Sequence, residues 1–159
     1  MPSETRQLLF LLTLAAFASS ASFRVCDPML PQLAGQFAAS TAEVALIITS
    51  FTIAYGAMQL VYGPLGERFE RFRIITRATA LCAVGSLGAG LAPSLEMLTA
   101  CRILTGVAAA GIIPMSMATV SDLVPAEQRQ ATLARLFSGQ ILGMVFGQVL
   151  GGLCVDFGL

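Results

Sequence analysis

Three charged residues lie within otherwise apolar stretches of the sequence, and they are the first candidates for chemistry: Arg24, Asp27 and Arg102. A charge inside a membrane costs about 2.5 to 3.5 kcal/mol even on insertion scales, so it usually faces a cavity or a partner. Arg24 and Asp27 share a helix face, and Asp27 and Arg102 each fall roughly 10 Å inside the outer end of their segments. We expect Asp27 to lie between the two arginines and to carry a proton in a way that depends on conformation. The alternative is that Arg24 and Asp27 lie at the outer surface with their charged ends in water.

Composition decides which environment surrounds these charges. Of the 159 residues, 56% are hydrophobic and 11% are charged, with a mean hydropathy of +0.81, whereas about 25% of the residues in a soluble domain are charged. An integral membrane protein is therefore expected. The net charge of zero argues against a nucleic-acid partner.

The absence of histidine from the sequence leaves carboxylates as the proton carriers near neutral pH. We expect no metal centre and no cofactor. A soluble enzyme has no support, because neither a nucleophile elbow nor a phosphate-binding loop is present. The four widely spaced cysteines are expected to be small apolar residues of membrane helices.

Five apolar segments predict an all-α integral membrane bundle of about five transmembrane helices, forming one domain over residues 1–159. A membrane helix needs about 20 residues, and the predicted spans are about 8–33, 44–62, 74–91, 95–124 and 131–155. The first segment also fits a signal peptide, but four more apolar segments follow it, which favours a first span. Ser40 and Glu43 predict a capping box at the start of the second helix.

The loop of residues 63–73, between the second and third spans, holds five of the eighteen formal charges. Arginine accumulates in short cytoplasmic loops, so we expect this loop on the cytoplasmic side of the membrane, together with the N-terminus. Glu67 and Arg71 face each other if the loop begins as a helical turn, and Asp122 is a candidate third member of this cluster. Gly63 allows close backbone approach at the helix end. The alternative is a solvated loop anchored by charge alone.

Glycines recur every four residues in the fifth predicted helix, at Gly143, Gly147 and Gly151, and Gly152 follows. Small residues at this spacing predict close packing on a neighbouring helix. A sliding or bending surface is a further hypothesis for the same face.

Four stretches together resemble the major facilitator superfamily. Residues 63–72, GPLGERFERF, resemble the family's G-x-x-x-D-R-x-G-R-R loop, with Gly63, Glu67, Arg68 and Arg71 at matching positions. Residues 27–31, DPMLP, resemble the first-helix motif of drug/proton antiporters, and residues 102–106, RILTG, resemble the fourth-helix R-x-x-Q-G motif. Residues 143–152 resemble the antiporter signature G-x-x-x-G-P-x-x-G-G, with Gln148 in place of the helix-bending proline.

The resemblance implies a partial N-terminal six-helix domain of a transporter whose substrate site lies between two halves. It also implies that the charged cluster is broken and remade as the transporter changes conformation. The expected function is proton-coupled efflux of a small molecule by alternating access. Proton-coupled uptake of a metabolite, and a non-transporting assembly factor or receptor, remain alternatives.

The same resemblance implies the expected partners and location. The partners are membrane lipids, a small-molecule substrate, and a missing C-terminal half or another polypeptide. The expected location is the bacterial inner membrane, as a multi-pass protein.

Overall fold

The computed structural model describes residues 3–157, and within that range the chain forms seven α-helices and no β-strand. Among these residues, four segments are long and apolar enough to cross a membrane, namely α1, α3, α5 together with α6, and α7. The 20-residue α4 is not one of them, because Arg73 and Arg77 lower its mean hydropathy. The predicted all-α membrane bundle is confirmed. The helices are α1 (Ser3–Arg24), α2 (Leu30–Gln36), α3 (Thr41–Arg68), α4 (Arg71–Gly90), α5 (Leu95–Ala109), α6 (Ile112–Leu123) and α7 (Ala126–Asp156).

Long helices that follow one another run in alternating directions through the bundle. Gly143 of α7 lies against Phe17 of α1, and Gly147 lies against Ala21. Both residue numbers rise together, so α1 and α7 are parallel. The contacts of α4 with α5 run in the opposite order, so that pair is antiparallel.

The first predicted span, 8–33, is not one continuous helix. Helix α1 ends at Arg24, residues 25–29 form turns, and the short α2 follows. Pro28 explains the break, because it has no amide hydrogen to bond the carbonyl of Arg24 and its ring clashes with that carbonyl. The Arg24 carbonyl instead accepts from the amide of Asp27 at 3.2 Å.

The predicted charged loop is mostly helical. Helix α3 continues past residue 62 to Arg68, with Pro64 inside it, and only Phe69 and Glu70 separate it from α4. The start of α3 agrees with the sequence, because the Ser40 and Glu43 side chains form the predicted capping box.

The fourth predicted span, 95–124, forms two helices that meet at Ala110 and Gly111. Pro114 lacks the amide that would bond the Ala110 carbonyl, which accounts for the break. Close packing also restricts this point, since a Cβ on Gly111 would lie 2.6 Å from the Tyr62 ring.

Large apolar side chains cover the outside of the bundle. Leu60 is 81% exposed, and Phe10, Ile53, Leu87 and Ile141 are also exposed. Exposed apolar surface of this extent on several helices indicates contact with lipid.

Candidate functional site

The side chain of Arg102 is buried among three helices. Only 2% of the residue is exposed. Its Nη1 donates a hydrogen bond to the Ser22 carbonyl at 2.7 Å, and its Nη2 donates to the Phe23 carbonyl at 3.3 Å. The last turn of a helix leaves carbonyls without amide partners, so the guanidinium binds the end of α1 that Pro28 creates. The same guanidinium lies over the Phe51 ring of α3, 4.2 Å from its centroid.

Asp27 lies in the turn that follows α1. Its carboxylate forms an ion pair with Arg24 at 2.9 Å, and 24% of its side chain is exposed. Arg102 contributes to the electrostatic environment of Asp27, but no ion pair joins them within residues 3–157. The structure thus brings the three charged residues to one helix end, with Arg102 on carbonyls and Arg24 on the carboxylate.

A cavity of about 200 Å³ lies between α1, α3, α6 and α7, next to this helix end. Its polar lining comes from Ser19, Ser20, Tyr55 and Gln140, and its apolar lining includes Phe23. None of its lining residues is charged. These residues were not predicted from the sequence, although Gln140 is an amide within an otherwise apolar helix.

Phe23, in the last turn of α1, both lines the cavity and contacts Arg102. Its ring lines the cavity and contacts the Phe51 and Tyr55 rings, with centroids 5.1 and 5.9 Å away. Its carbonyl accepts the hydrogen bond from Arg102. A molecule that displaced the Phe23 ring would therefore move a residue whose carbonyl is hydrogen-bonded to Arg102.

A second group of charges joins α3, α4 and α6 at the opposite end of the bundle. Arg71 donates from Nε to the Gly66 carbonyl at 3.2 Å and pairs through Nη1 with Asp122. A cation bound at a helix C-terminus is favoured by the helix dipole. Asp122 is thus brought into the predicted cluster. Glu67 and Arg68 are exposed, and neither belongs to an ion pair among residues 3–157.

The close approach expected at Gly63 occurs instead one turn later. A Cβ on Gly63 would meet nothing within 4 Å, whereas a Cβ on Gly66 would lie 2.6 Å from the Met115 side chain. Gly66 was not predicted to be the contact, because the sequence pattern does not distinguish between two glycines near the same helix end.

The glycine face of α7 packs directly on the backbone of α1. A Cβ on Gly143 or Gly147 would overlap a carbonyl oxygen of α1, and a Cβ on Gly151 would overlap the carbonyl oxygen of Val25, the first residue after α1. Gly152 has open space, and Gln148 is exposed on another face. The predicted close packing is therefore present for three of the four glycines. Gly139, which was not predicted, continues the four-residue spacing and packs on Thr13.

An apolar exterior, several helices long enough to cross a membrane, and buried polar groups between them define a multi-pass helical membrane protein. The chain belongs to the Major Facilitator Superfamily, whose family model matches residues 12–158.

Relatives of known name are similar over nearly the whole chain. The multidrug export protein EmrB of Haemophilus influenzae is 32% identical over 149 residues, covering 94% of this chain and 29% of that protein. The putative multidrug resistance protein MdtD of Salmonella paratyphi B is 27% identical, covering 99% of this chain and 33% of that protein. The fatty acid resistance protein FarB of Neisseria gonorrhoeae is 30% identical, and the match covers 89% of this chain and 28% of that protein. The chain thus spans about a third of the length of these relatives.

A solved structure shows the same fold. It is a bacterial homologue of the human lysosomal transporter Spinster in an inward-facing, unoccupied conformation. The TM-score is 0.90 at 22% identity, covering 99% of this chain and 34% of that one.

Proposed function

We propose that this chain is part of a proton-coupled exporter of small molecules that works by alternating access. Relatives named for multidrug export and for multidrug or fatty acid resistance support export. The observation that carries the proposal is the position of Phe23, which lines the cavity and also accepts a hydrogen bond from Arg102. The cavity and the hydrogen bonds of Arg102 share Phe23, so occupancy of the cavity is linked to the end of α1.

Asp27 is the proposed proton carrier. Arg24 pairs with it directly, and Arg102 and Cys26 also interact with it electrostatically. A proton on Asp27 removes the negative charge that holds Arg24. The turn at residues 25–29 is then free to rearrange, which changes the carbonyls that Arg102 binds. Proton binding and the position of Phe23 are coupled by this route.

The substrate proposed for the cavity is a small molecule with extensive apolar surface. The lining offers hydroxyl, amide and aromatic groups but no charge, and such sites favour apolar ligands with a few hydrogen-bonding groups. In this family type the site lies between two halves. The proposed partner is therefore a second half that supplies the other wall.

At the other end of the bundle, the Arg71–Asp122 pair is the proposed latch. It ties α4 to α6 in this conformation, and breaking such a pair is a common element of two-state transitions. We assign this end to the cytoplasm because most of the arginines lie there, which gives an inner-membrane protein with a cytoplasmic N-terminus.

The test is transport by the complete transporter in proteoliposomes under imposed pH gradients. Asp27→Asn keeps the size of the side chain but removes the titratable group, so pH-driven accumulation should disappear. Binding of a neutral substrate should stay within about tenfold of the wild type. Glu96→Gln is the matched control, because Glu96 is an exposed carboxylate in the first turn of α5. Continued pH-driven accumulation by Asp27→Asn would place the proton carrier elsewhere.

A further inference from the structure

We propose that the outward face of α4, at the end of the bundle that holds the Arg71–Asp122 pair, binds the head group of an anionic phospholipid. The buried residues of α4 share one face of the helix, and they are Ile75, Ala78, Cys82 and Gly85. Successive residues of a helix are about 100° apart, which places Arg73 and Arg77 on the opposite face, one turn from each other. Both of these residues are exposed.

This outward face lies outside the region that the proposed second half covers. The cavity around Phe23 is lined by α1, α3, α6 and α7, and α4 contributes no residue to it. The buried face of α4 packs on α5, where a Cβ on Gly85 would contact the Thr105 hydroxyl. The second half supplies the other wall of the cavity, so the opposite face of α4 is left to the lipid.

Arg77 supplies a free cation on this face. It takes part in none of the ion pairs formed within residues 3–157. Arg73 pairs through Nε with Oε2 of Glu70 at 2.7 Å, which leaves its two Nη groups for another acceptor. Two arginines and one carboxylate leave one positive charge without a partner. A phosphodiester balances that charge, and its oxygens accept paired N–H donors from a guanidinium.

The same face is apolar beyond Arg77. Ala80, Val84 and Leu87 are exposed there, and they continue the stripe at alternating spacings of three and four residues, which keeps them on one side of the helix. Leu87 lies about 15 Å beyond Arg77 along the helix axis, which is about the thickness of one leaflet of the hydrocarbon core. An acyl chain gains contact along this stripe, whereas a free phosphate gains nothing from it.

The depth of Arg77 also favours a lipid partner. Arg77 lies about 9 Å from the first residue of α4, and a charge that faces lipid at such a position needs a partner or a path to the membrane surface. The phosphate of a phospholipid lies at that surface. The arginine-rich end of a membrane protein faces the cytoplasmic leaflet, where anionic lipids attract basic side chains.

Native mass spectrometry of the complete transporter tests the site by counting bound phosphatidylglycerol, with phosphatidylcholine as the neutral comparison lipid. Arg77→Gln should weaken phosphatidylglycerol binding about fivefold. Arg73→Gln should weaken it at least as much, because it also leaves the Glu70 carboxylate unpaired. Glu70→Gln should instead strengthen binding about fivefold, because it removes the only negative charge of the group. Arg135→Gln is the matched control, because Arg135 is an exposed arginine of α7 that lines a cavity with α1 and α6, and its binding should equal that of the wild type.

Four results would overturn the proposal. The first is wild-type binding by the variant that combines Arg73→Gln with Arg77→Gln. The second is an equal loss in Arg135→Gln, which would indicate general charge attraction. The third is weaker binding by Glu70→Gln together with tighter binding of phosphatidylethanolamine than of phosphatidylglycerol, which would indicate a zwitterionic head group. The fourth is displacement of the lipid by glycerophosphoglycerol at equal concentration, because this compound has the same head group without acyl chains.

A measurement on the wild-type protein keeps the test independent of how the variants fold. A phosphatidylglycerol with a photo-crosslinking group in its head group is applied to the complete transporter, and the labelled peptides are identified. Labelling of peptides from the first two turns of α4 supports the site. Labelling confined to other helices contradicts it.

Discussion

Two neighbouring glycines of α7 allow two effects on stability to be separated, namely the loss of close packing and the gain in helix propensity when glycine is replaced by alanine. A Cβ on Gly151 would overlap the carbonyl oxygen of Val25 and lie 2.8 Å from Cγ of Pro28, whereas a Cβ on Gly152 would meet nothing within 4 Å. We therefore compare Gly151→Ala with Gly152→Ala. The two variants have the same composition and differ only in which side of the helix carries the added methyl group.

The expected difference follows from the packing. Alanine in place of glycine favours a helix by about 1 kcal/mol at either position, so this contribution cancels between the variants. The overlap at Gly151 is with the backbone of Val25, so no rotation of a side chain relieves it, and the turn that follows α1 must move away by on the order of 1 Å. Overpacking of this kind costs about 1–3 kcal/mol. Gly151→Ala should be less stable than Gly152→Ala by that amount.

Thermal unfolding of the purified variants in detergent measures the difference. A loss of about 2–4 °C in Tm for each kcal/mol gives an expected gap of about 2–12 °C. Gly147→Ala should repeat the loss, because its Cβ would overlap the Ala21 carbonyl oxygen. Equal Tm values for Gly151→Ala and Gly152→Ala would show that α7 is not in direct contact with the backbone of Val25 at residue 151.

Three further predictions test the charged groups and the orientation. Arg102→Gln should lower the free energy of unfolding by about 1.5–3 kcal/mol, measured by the same unfolding assay, because hydrogen bonds from a charged donor to two carbonyls are weakened; an unchanged value would contradict the observed contact. Asp122→Asn should slow transport by the complete transporter at least about fivefold, whereas Glu67→Gln should change it much less, because Asp122 forms the ion pair and Glu67 does not. Equal transport rates for these two variants would contradict the proposed role of the Arg71–Asp122 pair as a latch. With the native cysteines replaced, a single cysteine at Ser94 should react with an impermeant reagent from outside the cell and one at Ala126 should not; the reverse pattern would invert the orientation.

Features set by neighbours in the sequence were predictable. The capping box of Ser40 and Glu43 requires only residues three positions apart, and it is present. The packing face of α7 followed from the four-residue spacing of Gly143, Gly147 and Gly151. Both are local patterns whose geometry a regular helix fixes in advance.

Features that depend on where a helix ends were not predictable in the same way. Proline is tolerated in membrane helices, so Pro28 did not by itself indicate that α1 stops at Arg24. That end decides the partner of Arg102, because it exposes the carbonyls of Ser22 and Phe23. A continuous helix would have bonded those carbonyls to its own amides.

The ion pairing of Arg71 also differs from the prediction, again because of where a helix ends. Glu67 and Arg71 are four residues apart, but Phe69 and Glu70 interrupt the helix between them, so the helical relation no longer holds. Arg71 begins α4 and pairs with Asp122, which is 51 residues away in sequence. Only the packing of α4 against α6 brings those two residues together.

The two parallel helix pairs of the bundle are assembled in the same way, and Arg102 connects them. In the pair α1 and α7, a Cβ on Gly147 would overlap the Ala21 carbonyl oxygen, and in the pair α3 and α5 a Cβ on Gly106 would lie 2.6 Å from the Phe51 carbonyl oxygen. Lipid provides no hydrophobic force between helices, so such close backbone contact is what holds each pair together. Arg102 lies on α5 and donates to the carbonyls of α1, so it crosses from one pair to the other. Any movement of one pair against the other must therefore change the hydrogen bonds at the end of α1, next to Asp27.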